Sequence, residues 1–197
     1  MSIIDELTSV LGAAKVALDA PTLTVYAVDQ APVLDYQLPQ AVVRAESIED
    51  VQATVRACAS RGVPLVARGA GTGVSGGAHA SKDCVVLSLE RMNRILDLNP
   101  DDETAVVEPG VINADLNAAA AGHGLMYAPD PASFKMSTIG GNVATHAGGL
   151  RCAKYGGTRD SVLALDVVLA DGSLIHTGHQ TFKGVAGYDL TGLFVGS

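Results

Sequence analysis

The pattern of apolar and polar positions predicts an amphipathic helix at the start of the chain. Over residues 2–18 the apolar side chains recur at helical spacing, behind a Ser2–Asp5 capping-box pattern. We expect Pro21 to end this helix, because proline lacks the amide hydrogen that a helix interior needs. Residues 22–40 show no comparable periodicity and are predicted to be loop-like.

A second helix and three short strands follow. Ser47 opens the helix, Cys58 lies on its apolar face, and Gly62 supplies a C-terminal cap. The strands are predicted around Val42-Val43, over Pro64–Ala67 and over Asp83–Leu89, the last with an apolar run typical of burial on both faces. Strand, helix, strand and strand in this order predict a small parallel α/β lobe.

The pattern changes after the turn signal at residues 99–102, so we divide the chain into a first lobe, 1–98, and a second lobe, 99–197. The second lobe begins with a strand over Thr104–Glu108 and an Ala-rich helix over 113–121. Strands over Val162–Ala170 and Ser173–Thr177 flank a hairpin turn, which predicts an antiparallel lobe. The expected fold class is therefore α+β with two lobes.

The last residues, Leu193–Ser197, form an apolar, strand-like run. Natural C-termini are more often polar, so we expect the chain to continue into a further domain.

Composition excludes several classes of function. The net charge of -8 disfavours nucleic acid and anionic membranes as partners. No apolar run has the length of a membrane span. Three widely spaced cysteines predict reduced thiols and a cytoplasmic protein. With only 5 histidines, among them His176 and His179 in a His-x-x-His pattern, we expect no metal site.

The first candidate site is a glycine loop that directly follows a predicted strand, Arg68-Gly69-Ala70-Gly71-Thr72-Gly73. Closely spaced glycines let backbone amides converge on an anion such as phosphate, and Arg68 adds positive charge. The loop formally matches the Gly-x-Gly-x-x-Gly pattern of NAD(P)-binding Rossmann domains, with Glu90 as an acceptable acid. However, the segment from Val74 to Asp83 is too short and glycine-rich for the helix that this fold requires.

A second glycine loop lies in the second lobe and begins Ser137-Thr138-Ile139-Gly140-Gly141-Asn142. Ser137 or Thr138 is predicted to cap a short helix that runs through Thr145, with N-terminal amides suited to a phosphate. Two such loops, one per lobe, predict a dinucleotide between the lobes. His146 lies in this loop, either in contact with that ligand or as a polar spacer.

Eight segments together resemble one protein family by their order and spacing. They are Arg68–Gly73, Val107–Gly110, Asn113–Gly124, Pro129–Pro131, Ser137–Asn142, Tyr155-Gly156, Val168–Gly172 and Gly187–Leu190. The chain from about residue 40 onward resembles the FAD-binding domain of the vanillyl-alcohol oxidase and p-cresol methylhydroxylase (PCMH) superfamily. The resemblance is strongest to its glycolate oxidase flavoprotein and FAD-linked D-lactate dehydrogenase branch.

The resemblance implies the fold, the cofactor and a set of contact residues. Around the FAD pyrophosphate it implies Arg68, Gly69, Ala70, Gly71, Thr72, Gly73, Ser137, Thr138, Gly140, Gly141 and Asn142. Near the ribityl chain or the flavin ring it implies Pro129, Ala144 and Gly148. Thr72 cannot form the linkage that a histidine forms, so FAD should be bound non-covalently.

The resemblance also implies the reaction, which is oxidation of a D-2-hydroxy acid, such as glycolate or D-lactate, by hydride transfer to FAD. The family's catalytic histidines lie in a later domain, so no catalytic residue is assigned and these 197 residues alone are expected to be inactive. Electron-accepting partner subunits belong to the same expectation. An NAD(P)-binding domain and a non-catalytic nucleotide-binding module are the alternatives.

Overall fold

The computed structural model describes residues 2–32, 36–181 and 183–197. The chain forms two compact units. The first unit comprises the chain up to Met92 together with a later segment, Val168–Leu174. The second unit comprises Asn93–Val167 and Ile175–Ser197.

The N-terminal helix is shorter than the sequence predicts. Helix α1 spans Ile3–Leu11 and begins with the predicted capping box, in which the Ser2 hydroxyl accepts from the Asp5 amide. Gly12 ends it at φ 86°, a conformation that favours glycine. A 3-10 turn (Ala13–Lys15) and strand β1 (Val16–Ala17) follow, so the predicted helical continuation to residue 18 is wrong.

The segment predicted as loop contains a helix. Helix α2 spans Ala20–Tyr26, with Asp19 as its N-cap. Pro21 lies in its first turn, where a missing amide hydrogen is harmless, and so it begins a helix rather than ending one. The predicted loop also includes Val33–Asp35, which lie outside the described residues.

The first unit is built on a four-stranded sheet of order β1-β2-β4-β3. Strands β2 (Ala41–Arg44), β3 (Leu65–Arg68) and β4 (Val85–Ser88) run parallel, as predicted, and β1 is antiparallel to β2. Helix α3 (Ile48–Arg61) is capped by Ser47 and by Gly62 in the left-handed conformation, also as predicted.

Helices α1 and α3 cover one face of this sheet. Leu7, Val43, Cys58 and Leu87 are among the side chains buried there, which confirms that Cys58 belongs to the core. Each fully buried aliphatic side chain contributes roughly 1.5–3 kcal/mol. This packing fixes the position of the three parallel strands. The first glycine loop begins at the carboxyl end of one of them, β3.

The second unit contains two small sheets and short helices. Strands β5 (Ile95–Asn99) and β6 (Thr104–Val107) pair antiparallel, and β5 has no counterpart among the predicted strands. Strands β7 (Ala164–Val168) and β8 (Leu174–Gly178) form the predicted hairpin. The helices are α4 (Asn113–Ala121), α5 (Ile139–Ala144), α6 (Cys152–Tyr155), α7 (Thr158–Ser161) and α8 (Leu190–Phe194).

The tip of the β7–β8 hairpin and the apolar run at the end of the chain complete the fold. The hairpin tip belongs to the first unit, where the Gly172 carbonyl accepts hydrogen bonds from Gln52 at 2.8 Å and Arg56 at 3.1 Å. The apolar run Leu193–Ser197, predicted to be strand-like, contains no strand: Leu193 and Phe194 end α8, which the Asp189 carboxylate caps at the Gly192 amide, and the last three residues follow the helix. No helix among the described residues is long and apolar enough to cross a membrane.

Candidate functional site

The first glycine loop leaves the sheet at the carboxyl end of β3. Arg68, Ser88 and Arg44 stand in register across β3, β4 and β2, at the edge where parallel sheets commonly bind ligands. Along the loop, the amides of Ala70, Gly71, Thr72 and Gly73 have no hydrogen-bond acceptor within the part of the chain that the structure describes. Four consecutive unpaired amides suit an anion.

The Arg68 side chain lies beneath this loop and not in solvent. The residue is 8% exposed, and its guanidinium donates to the Val28 carbonyl at 2.6 Å. It also stacks on Tyr26, 5.3 Å from the ring centroid. A Cβ built on Gly71 would collide with this guanidinium, and Gly71 has φ 67°. Glycine at 71 is therefore required by a close approach and by the backbone.

The segment after α2 supports the far end of the loop. The Gln30 amide donates to the Gly73 carbonyl at 2.9 Å. The buried Asp29 carboxylate accepts from the amides of Ala31 at 2.8 Å and Ala78 at 3.3 Å, and lies 2.9 Å from His79 Nδ1. Sequence reasoning missed Tyr26 and Asp29, because only tertiary contacts bring them to the loop.

The second loop has the opposite hydrogen-bonding state. Thr138 caps α5, and its hydroxyl accepts from the Gly141 amide at 3.1 Å. The amides of Ile139 and Gly140 donate to the carbonyls of Val111 and Pro109, each at 2.8 Å. The expectation that these N-terminal amides are available to a phosphate is therefore wrong; protein acceptors already hold them.

The side chains of the second loop, by contrast, include groups without a partner. Ser137 and Asn142 are each 2% exposed, and neither Ser137 Oγ nor Asn142 Nδ2 has a hydrogen-bond partner among the described residues. A buried polar group without a partner is costly, and its presence points to a ligand or to a bound water. Both residues belong to the predicted cofactor set.

Three glycines of the second loop differ in what surrounds them. A Cβ on Gly140 would stand 2.6 Å from Pro109 Cβ and 2.9 Å from its carbonyl oxygen, so Gly140 is fixed by packing. A Cβ on Gly141 would meet only the Thr138 hydroxyl, at 3.1 Å, and one on Gly148 only the Cys152 sulfur, at 3.7 Å. A side chain at Gly141 would therefore press on the Thr138 hydroxyl, whereas Gly148 leaves room for a methyl group beside the backbone.

Pro129 lines a cavity of about 540 Å³ in the second unit. Its carbonyl accepts from Asn113 Nδ2 at 3.0 Å. Tyr127 and Phe134 contribute aromatic walls, and burial raises the pKa of Tyr127 to about 12, so its hydroxyl stays protonated. Asp130 and Arg151 also line the cavity, so its wall carries charged as well as apolar groups.

His146 has a strained backbone at the end of the second loop. Its φ is 47°, which is uncommon outside glycine. Its Nδ1 accepts from the Arg159 amide at 3.2 Å, and its ring fills the space beside Gly157. His146 thus holds the loop against α7. No group of three or more His, Cys, Asp or Glu among the described residues could hold a metal ion.

Comparison with known proteins agrees with this arrangement. The family described as FAD binding domain matches residues 39–178, and this chain belongs to that family. The glycolate oxidase subunit GlcD of Bacillus subtilis is 47% identical over 88% of this chain and 37% of the relative. The D-lactate dehydrogenase of Archaeoglobus fulgidus is 39% identical over 100% of this chain and 43% of the relative.

Solved structures show the same fold. p-Cresol methylhydroxylase with bound substrate superposes with TM-score 0.84 at 25% identity, over 98% of this chain and 40% of that protein. The 4-ethylphenol oxidase of Gulosibacter chungangensis gives TM-score 0.82 at 32% identity, over 98% and 39%. The predicted α+β, PCMH-type fold and FAD as its cofactor are confirmed.

The chain spans about two fifths of the length of these relatives. The NAD(P)-binding alternative receives no support, because the described segment between Val74 and Cys84 contains no helix. Glu90, the acid that this alternative required, is already engaged by the Tyr26 hydroxyl at 2.6 Å.

Proposed function

We propose that this chain is the cofactor-binding part of a flavin-dependent dehydrogenase or oxidase of D-2-hydroxy acids. One observation carries the proposal: the first loop presents four unpaired amides, while the second presents the buried, unpartnered side chains of Ser137 and Asn142. The relatives named as glycolate oxidase subunit and D-lactate dehydrogenase support the substrate class.

The two loops would hold different parts of FAD. The pyrophosphate is negatively charged, and successive backbone N–H groups bind anions by donating hydrogen bonds to them. The unpaired amides of Ala70, Gly71, Thr72 and Gly73 therefore suit it. Ser137 Oγ and Asn142 Nδ2 would gain hydrogen bonds that the protein itself does not supply.

The remaining predicted contact residues lie in the two loops and in the wall of the cavity of the second unit. Gly69 belongs to the first loop. The second loop contains Thr138, Gly140, Gly141, Ala144 and Gly148, and a Cβ at Gly148 would meet only the Cys152 sulfur, at 3.7 Å. Pro129 lines the cavity of the second unit. Bound FAD would supply the hydride-accepting chemistry for oxidation at the hydroxyl-bearing carbon of a substrate. The residues of this chain would bind and orient the FAD.

Partners and location complete the proposal. One relative is named a subunit of glycolate oxidase, which supports an electron-accepting partner subunit. The described structure holds Cys58, Cys84 and Cys152 as free thiols, which supports a reducing, cytoplasmic setting. Burial raises the pKa of Cys58 to about 11, so this thiol stays protonated and unreactive.

Binding of FAD to variants of the second loop tests the assignment. Ser137→Ala and Asn142→Ala should each weaken FAD about tenfold, the cost of one lost hydrogen bond in a buried site. Ser161→Ala, which alters an exposed serine of the same unit, is the matched control and should change nothing. Unchanged affinity in both loop variants would remove this loop from the site.

The substrate class needs the product of the complete reading frame. Glycolate and D-lactate should bleach its bound flavin under anaerobic conditions, and L-lactate should not. Reduction by L-lactate alone would contradict the proposed stereochemistry.

A further inference from the structure

A compact network of polar side chains lies directly beneath the first glycine loop. Arg68 and Arg44 flank Ser88 in register on the parallel sheet. Tyr26, from the end of α2, contacts both guanidinium groups, at 5.3 Å from Arg68 and 5.8 Å from Arg44. Its hydroxyl donates to Glu90 at 2.6 Å, and the Ser88 hydroxyl donates to the same carboxylate oxygen at 2.9 Å.

The Arg68 guanidinium is fixed in this network. It donates to the carbonyl of Val28, stacks on Tyr26 and fills the space beside Gly71. This guanidinium donates to a backbone carbonyl and is covered by the loop. It therefore cannot also present two exposed N–H groups to a phosphate in a direct bidentate contact. Its charge nevertheless lies next to four amides that have no acceptor.

We propose that Arg68 stabilises the FAD pyrophosphate by its charge from beneath the loop, without touching it, and that Tyr26 and Glu90 are the positioning residues that hold it there. This inference rests on the proposed function. A charge in a buried position acts strongly over a few ångströms because little water screens it. Tyr26 fixes the guanidinium plane, and Glu90 fixes Tyr26.

The network also carries an opposing charge. The carboxylates of Glu90 and Asp29 both act electrostatically on the Arg68 guanidinium. Removing the Glu90 charge while keeping its hydrogen-bonding shape should therefore strengthen the attraction for an anion. A purely structural role predicts the opposite, since any loss within a packed network would loosen the loop.

The test measures FAD dissociation constants at several salt concentrations. Arg68→Gln should weaken FAD about tenfold and should make its affinity less dependent on salt, because one cation has been removed. Arg91→Gln is the matched control: it removes an exposed arginine of the same unit, which pairs with Glu46 at 2.8 Å and takes no part in the network beneath the loop. It should leave both quantities unchanged. Equal effects of the two substitutions, or an unchanged salt dependence in Arg68→Gln, would overturn the proposal.

Two further variants keep the test decisive if Arg68→Gln does not fold. Glu90→Gln should bind FAD about threefold more tightly, and weaker binding would overturn the proposal. Tyr26→Phe retains the ring and should weaken FAD a few-fold with the salt dependence preserved; loss of the salt dependence would contradict a positioning role. Failure of the unmodified chain to bind FAD would contradict the proposed function itself.

Discussion

The guanidinium of Arg68 occupies the space into which a side chain at Gly71 would project. The relationship couples a residue at the end of β3 to the tip of the loop that follows it. It also explains a glycine that the sequence assigns only to the cofactor: Gly71 is needed by the protein's own packing.

This coupling predicts that Gly71→Ala destabilises the protein. The new methyl group would displace Arg68 from Val28, and the left-handed backbone at φ 67° adds strain. Together these should lower the free energy of unfolding by about 1–3 kcal/mol. Gly77→Ala is the control, since a Cβ there meets no atom within 4 Å and φ is not positive. Denaturant unfolding of both variants checks this, and equal stabilities would refute the packing argument.

The second loop predicts a contrast between adjacent glycines. Gly140→Ala should cost about 1–3 kcal/mol of stability, because its methyl group would collide with Pro109. Gly141→Ala should retain the fold, with only the Thr138 hydroxyl nearby, but should weaken FAD tenfold or more by blocking the backbone. Thermal unfolding and FAD titration separate the two effects. Normal FAD affinity in folded Gly141→Ala would show that no ligand approaches there.

The ion pair between Glu108 and Arg94 predicts a dependence of stability on pH. Glu108 is 7% exposed and accepts from the Arg94 guanidinium at 2.7 Å and from the Arg94 amide at 2.8 Å. The Arg94 side-chain hydrogen bond lowers the pKa of Glu108 below its ordinary value of 4.5. Its contribution is therefore complete above that value and is lost as the pH falls through the lower, folded-state pKa.

Glu108→Gln isolates this contribution from the other carboxylates that titrate in acid. The difference in unfolding free energy between the unmodified chain and this variant should be largest at neutral pH and shrink below pH 4.5. A difference that is constant with pH would show that the pair does not contribute through its charge.

The cofactor should be released by acid. Thr72 cannot form the linkage that a histidine would form with the flavin. Cys152, the half-exposed cysteine near the second loop, accepts a hydrogen bond from the Gly149 amide at 3.0 Å. We therefore expect FAD to stay in the supernatant after acid precipitation. Yellow colour that remains with the protein pellet would demonstrate a covalent bond.

Local signals in the sequence predicted much of the fold. The Ser2 capping box, the Ser47 cap and the Gly62 cap define helix ends through contacts three to five residues apart. Helix α2 was missed because Pro21 was interpreted as a terminator, although proline is equally suited to a first turn. Strand β1 was missed because its two residues form a strand only by pairing with Val42 and Val43.

The site was predictable only in part, for the same reason. Glycine density identified both loops, since it is a local property. The contacts of Tyr26 with Glu90 and of Asp29 with Ala78 join residues that are 64 and 49 positions apart, and no local pattern encodes them. The acceptors that occupy the amides of Ile139 and Gly140 also come from a distant segment, around Pro109 and Val111.

Titration of the purified chain with FAD and, separately, with NADH decides which dinucleotide this chain binds. We expect saturable quenching of FAD fluorescence at micromolar concentrations and no binding of NADH, because the first loop has unpaired amides and is not followed by the helix of a nicotinamide-dinucleotide site. Micromolar binding of NADH, without binding of FAD up to millimolar concentrations, would contradict this expectation.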